Sequence, residues 1–204
     1  MVIVEYDNEW PLSFLKIKKE LSNNLSSFIN IEHVGSTSIK GMCGKPIIDV
    51  VIVVKDNNSF IKTKNELEEK FGYFHIGDCG LVGREVFKRK NSINEVSSFV
   101  QDLMDKNIFT HNGNINSQIL DTIKHYLYVC KADAGILQGY ILFRDYLNSN
   151  LEEMQKYYKI KKEIIEKYGN EDFDKYVKVK NDEYGWFFME ILNKALSKNK
   201  QHIA

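Results

Sequence analysis

From Pro46 to Val54 the chain reads Pro46-Ile47-Ile48-Asp49-Val50-Val51-Ile52-Val53-Val54, which as a strand is apolar on both faces except at Asp49. A strand without a solvated face belongs in the middle of a sheet covered on both sides, or deep in a core. An ionised carboxylate placed there is costly unless a cation or a set of donors meets it. Position alone leaves two readings of Asp49 open. It is either half of a structural ion pair, with Lys45 or Arg84 as partner, or a metal or substrate ligand at a strand end.

The flanking segments supply the cover that such a strand needs. Phe14, Ile17, Leu21, Leu25 and Phe28 recur at helical spacing, so a helix is expected from Asn8 to Phe28, with Pro11 tolerated in its first turn. Ile29 to Val34 reads as a short strand that runs into Gly35-Ser36-Thr37-Ser38. After an Asn57-Asn58-Ser59 cap, Phe60 to Phe71 reads as a helix ending before Gly72. Tyr73 to Ile76, Glu85 to Arg89 and His125 to Val129 read as further short strands. Asn91 to Thr122 is polar and rich in Asn and Ser, and Val96 to Met104 within it is spaced for one short helix. From Gly135 onward the pattern is helical: one helix to about Asn150, one over Leu151 to Tyr168, and one over Asp172 to about Leu196. The expected fold is mixed α+β. Residues 1–134 form an α/β core with an insertion at about 91–122, and residues 135–204 form a helical tail packed on the core.

With 28 Lys+Arg against 28 Asp+Glu the formal net charge is +0. No bulk field draws the protein to nucleic acid or to an anionic membrane, and neither partner is expected. The first residues lack the order of a signal peptide, and no apolar run nears the roughly 18 residues of a spanning helix, so a cytoplasmic location is expected. Cys43, Cys79 and Cys130 are far apart and form no Cys-x-x-Cys pair, so they read as reduced and mostly buried apolar residues. Lys156 to Lys167 alternates with glutamates and reads as an ordinary solvated helix face.

The segment Ile31-Glu32-His33-Val34-Gly35-Ser36-Thr37-Ser38-Ile39-Lys40-Gly41, followed by Lys45-Pro46-Ile47-Ile48-Asp49-Val50, closely resembles the signature of the GrpB family, which is similar to the nucleotidyltransferase superfamily. The resemblance extends to Val4-Glu5-Tyr6-Asp7 with Trp10-Pro11, to Gly83-Arg84 with Phe87-Lys88-Arg89, and to Phe143-Arg144-Asp145-Tyr146-Leu147. It covers most of the chain except the insertion. It implies a nucleotidyltransferase-like core with a small mixed sheet, a nucleoside triphosphate as substrate, and Mg²⁺ as cofactor. The reaction implied is in-line transfer of a nucleotidyl group to an unidentified acceptor, with pyrophosphate leaving.

On this resemblance Asp49 is the metal ligand, and Asp49 and Ser36 are the catalytic residues. Gly35, Ser36, Thr37 and Ser38 form the phosphate-binding turn, joined in substrate binding by His33, Lys45, Arg84, Lys88, Arg89, His125 and Arg144. Arg84 and Lys88 share one face of an alternating segment; opposite Asp49 they would offset the charge of a triphosphate, and otherwise they form a solvated strand face. His33 either orients the turn or packs at the strand end.

Two departures from the family pattern matter. The superfamily places two acids one residue apart, so that both lie on one face of the strand, and here the partner of Asp49 is Val51. Family members often show His-His-Leu-His-Val where this chain has His125-Tyr126-Leu127-Tyr128-Val129, so only the first imidazole remains, and His125 itself reads as a satisfied structural histidine rather than a general base. A second acid for catalysis would have to come from Asp78, Glu85 or Asp145. The alternative functions are a catalytically inactive nucleotide- or metabolite-binding module and a protein-interaction domain.

Overall fold

The computed structural model describes residues 3–89, 115 and 117–201, so the helix expected over Val96 to Met104 lies outside the described residues. Helix α1 spans Glu9–Ser22 and is shorter than its apolar periodicity predicts. It stops where Asn24 turns its side-chain amide back onto the Glu20 carbonyl at 3.1 Å, the kind of local bond by which asparagine competes with helical continuation. Strand β1 (Asn30–Val34) follows, then a single 3₁₀ turn over Ser36–Ser38, then β2 (Ile48–Val54).

Helix α2 (Asn57–Phe71) begins earlier than Phe60 because Asp56 is its cap, accepting from the Ser59 amide at 2.8 Å. Next come β3 (Tyr73–His75), β4 (Arg84–Arg89), a short helix α3 (Gln118–Thr122) and β5 (His125–Lys131). Three helices close the chain: α4 (Gly135–Ser149), α5 (Leu151–Tyr168) and α6 (Phe173–Gln201), the last running five residues beyond Leu196.

The five strands form one mixed sheet in the order β1-β2-β5-β4-β3. β5 runs parallel to β2, β4 antiparallel to β5, and β3 antiparallel to β4. Val50, Val51, Ile52 and Val54 are fully buried, as a strand apolar on both faces requires. α2 packs on β2, β3 and β5 and buries Thr63, Leu67 and Phe71. The fold is therefore mixed α+β with helices at its C-terminal end, and no helix among the described residues is long and apolar enough to cross a membrane.

The described residues divide into two compact units. One takes Pro11–His33 and Ile47–Leu137, and the other takes the residues up to Trp10, Val34–Pro46 and those from Gln138 on. This division differs from a cut at residue 134, because short upstream segments are tied to the helices. Ile39, Met42 and Cys43 bury their side chains in one apolar cluster with Phe143, Leu147, Ile160, Ile164 and Ile191. Val4 and Gly44 exchange backbone hydrogen bonds at 2.9 and 3.0 Å. Asn170 both accepts from the Ile3 amide at 2.7 Å and donates to its carbonyl at 2.8 Å. Of the three thiols, Cys43 and Cys130 are buried and Cys79 is exposed, in a turn where its own φ is positive.

If β2 is the packing centre of the sheet unit, Ile52→Ala must leave a cavity where no solvent reaches. The expected loss is about 2–5 kcal/mol, read as a lower urea midpoint with an unchanged slope. An unchanged midpoint would refute this placement of β2.

Candidate functional site

Register sorts the polar residues of the sheet. Asp49 lies beside Tyr126, Val51 beside Tyr128, Val86 beside Tyr128, and Arg84 beside Cys130. Neighbours across a ladder share a face, and alternate residues along a strand return to it. Asp49, Tyr126, Tyr128, Arg84 and Lys88 therefore project from one face, and all five are half-buried.

Their contacts bear this out. The Tyr128 hydroxyl donates to Asp49 Oδ1 at 3.1 Å, a partner that inspection of the sequence does not single out. The Arg84 guanidinium lies 4.8 Å from the centre of the Tyr128 ring, and Lys88 Nζ lies 3.8 Å from that of Tyr126. A cation held over a ring face keeps its charge while gaining the attraction of the ring quadrupole. The face thus combines one carboxylate, two phenols and two cations. Arg84 and Lys88 suit phosphate oxygens, one as a planar fork and the other as a point charge.

The opposite face carries His125 and Arg89, both buried, so neither is brought to the side of Asp49. Arg89 donates to the Phe71 carbonyl at 2.5 Å and to Asp121 at 2.6 Å. His125 is bonded to the Tyr73 hydroxyl through Nε2 and to the Ile123 carbonyl through Nδ1, the latter at 2.6 Å. Those bonds describe a neutral ring with its hydrogen on Nδ1. Burial holds this imidazole down at about 4, helped by the nearby charges of Arg89 and Lys88. Glu85, one of the three acids considered as a second ligand, is on this face too and pairs with His75 at 2.6 Å. Asp78 accepts from the Gly80 amide at 2.8 Å in its own turn. His33 stacks on Phe14 with ring centroids 4.7 Å apart.

The Gly35–Ser38 turn belongs to the other unit, together with Lys45, Arg144 and Asp145. Gly35 has φ 72° and ψ −172°, a conformation essentially confined to glycine. Ser38 Oγ closes the turn on the Gly35 carbonyl at 2.6 Å, and Thr37 is buried beneath it. Lys45 and Arg144 are half-buried, and Arg144 donates to Asp145 at 2.7 Å.

The residue that sequence reading missed in this unit is Lys161. Counted there as part of a solvated helix face, it is 2% exposed and donates to Ser36 Oγ at 2.5 Å and to the Cys43 carbonyl at 2.7 Å. The available signal was its spacing. Lys161 follows Tyr157 by four residues and precedes Ile164 by three, so it lies on the inward stripe of α5.

Comparisons with known proteins agree on one family. The family model described as GrpB protein matches residues 1–194. The chain is 30% identical over 173 residues to the glutamate-rich protein GrpB of Alkalihalophilus pseudofirmus, covering 84% of this chain and 85% of that one. It is 24% identical to a UPF0157 protein of Streptomyces coelicolor, over 87% of this chain and 77% of that one. Among solved structures it resembles the conserved protein GrpB from Enterococcus faecalis, with a TM-score of 0.68 at 24% identity, covering 97% and 99% of the two chains.

The His125 environment has a consequence for stability. The folded ring refuses a proton that the unfolded ring accepts below its ordinary value of 6.5. This contribution is fully present above that value and is lost as pH falls toward about 4, by roughly 3 kcal/mol at most. His125→Gln is expected to flatten the decline. The check is a set of urea midpoints for both proteins between about pH 7.5 and about pH 4.5, and parallel curves would show that His125 is not held neutral.

Proposed function

The chain belongs to the GrpB family, and from that premise we propose that it binds a nucleoside triphosphate with Mg²⁺ and transfers a nucleotidyl group to an acceptor hydroxyl. The observation that carries the reading is the face shared by Asp49, Tyr128, Arg84 and Lys88. A carboxylate beside phosphates repels them unless a cation stands between, and Arg84 and Lys88 offset only the ligand's own charge. Mg²⁺ is commonly held by one or two carboxylates together with substrate phosphates and water. Asp49 fits that demand for one ion that arrives with the triphosphate, and the ion would supply neutralisation of phosphate charge.

In the transfer reaction the acceptor oxygen bonds to the α-phosphorus. The bond from that phosphorus to the bridging oxygen breaks, pyrophosphate leaves with the electron pair, and the hydroxyl proton passes to solvent. This chain's residues contribute placement: Arg84 and Lys88 hold the phosphate chain, and Tyr128 holds the Asp49 carboxylate in one orientation.

A second reading, nucleotide binding without transfer, is favoured by Val51 at the position of the second acid. Among the described residues no group of three or more His, Cys, Asp or Glu side chains could hold a metal ion. Asp49 as a single strand carboxylate fits one Mg²⁺ and does not fit a two-metal centre.

Melting curves with each nucleoside triphosphate, with and without Mg²⁺, test the binding. At a hundredfold excess over Kd the ligand is expected to add about 2.7 kcal/mol, and Asp49→Asn is expected to abolish the Mg²⁺-dependent part. No shift with any nucleotide would sink both readings. Release of pyrophosphate by the wild type in the presence of candidate acceptors supports transfer, and a shift without any release supports the binding module.

A further inference from the structure

The buried ammonium of Lys161 is placed against one hydroxyl. Lys161 Nζ donates to Ser36 Oγ at 2.5 Å and to the Cys43 carbonyl at 2.7 Å, and it lies 4.9 Å from the centre of the Tyr157 ring. A lysine is seldom fully buried without partners, because the desolvated charge must be met by acceptors. Here one of those acceptors is the side chain of the turn. Ser36 can sit so close only because residue 44 is glycine: a Cβ there would lie 2.9 Å from Ser36 Cβ. The turn is thus clamped between a cation on α5 and a bare backbone at Gly44.

We infer that Lys161 is the positioning residue of Ser36, orienting its hydroxyl as a donor to a phosphoryl oxygen. An ammonium that occupies a lone pair of Oγ leaves the hydroxyl hydrogen to point away from Nζ. The serine is then a donor restricted to directions away from Nζ, polarised by the charge behind it. Without that charge the hydroxyl is free to rotate. The inference rests on the reading that this protein takes a phosphate-bearing ligand, and it adds the residue that prepares the turn.

A double-mutant cycle tests it, with inorganic tripolyphosphate and ATP as probes, read by calorimetry on the full chain. Lys161→Met removes the charge and keeps the length, and Gly44→Ala pushes Ser36 off Nζ while leaving every charge in place. Each is expected to weaken binding of both probes about tenfold, the scale of one hydrogen bond to a charged group. In a Ser36→Ala background neither is expected to cost anything further. A merely structural role for Lys161 predicts the same loss with and without the Ser36 hydroxyl, and that result overturns the inference. An unchanged affinity in both variants does so as well. If Lys161→Met does not fold, Gly44→Ala carries the cycle alone. A wild type that binds neither probe overturns the phosphate reading itself and the inference with it, whereas binding that shows no coupling between Lys161 and Ser36 overturns only the inference.

Discussion

Because β2 and β5 pair in parallel with Asp49 beside Tyr126, every side chain of both strands is committed to one of two faces. A slip of one residue would send Asp49 to the side of Leu127 and turn Val50 toward the phenols, exchanging a buried apolar contact for a buried charge. The alternation in His125-Tyr126-Leu127-Tyr128-Val129 therefore fixes register and chemistry together. His125, Leu127 and Val129 are buried, while Tyr126 and Tyr128 present ring faces and a hydroxyl to the charged side. β4 inherits the same division through β5, which is why Arg84 and Lys88 arrive beside the phenols and Glu85 does not.

Among the described residues each of the two compact units buries one lysine or arginine, and each of these cations joins segments far apart in the chain. Arg89 links β4 to the last carbonyl of α2 and to Asp121 of α3. Lys161 links α5 to Ser36 and Cys43, more than a hundred residues upstream. Neither contact is a cheap source of stability, since desolvation of the charge takes back much of what the bonds return. What they provide is specificity of placement, because withdrawing one acceptor leaves a charge that cannot reach water. That asymmetry makes the two cations good markers of how each unit is assembled.

Much of the secondary structure was legible in the sequence because its signals are local. Leu151–Tyr168 shows both of its boundaries, and β2 announces itself by composition. The ends of α1 and α6 were not legible, since amphipathic spacing continues past the point where Asn24 breaks the first and runs out before the second stops. The family was legible too, from the Gly35–Ser38 turn and Asp49 in their order. Lys161 was hidden for a different reason. Its neighbour Lys159 is exposed and Lys162 is half-buried, and a charged residue among charged residues looks exposed unless its helical phase is weighed against its type. The Tyr128 to Asp49 bond was hidden because pairing across a parallel ladder is a property of register, which no single strand carries.

Val51 packs where β2 and β5 pair. It is 0% exposed and lies beside Tyr128 in the ladder, on the same face as Asp49. An acid placed there would be a second carboxylate next to the first, and two like charges at i and i+2 repel unless a cation or a shared proton lies between them. With valine the strand keeps its packing, and the Tyr128 hydroxyl takes one oxygen of the remaining carboxylate. The valine and the phenol are therefore complementary parts of one arrangement. A tyrosine donor can hold a single carboxylate in place where a second acid would otherwise need metal, so the face is organised around one acid and its hydrogen bond.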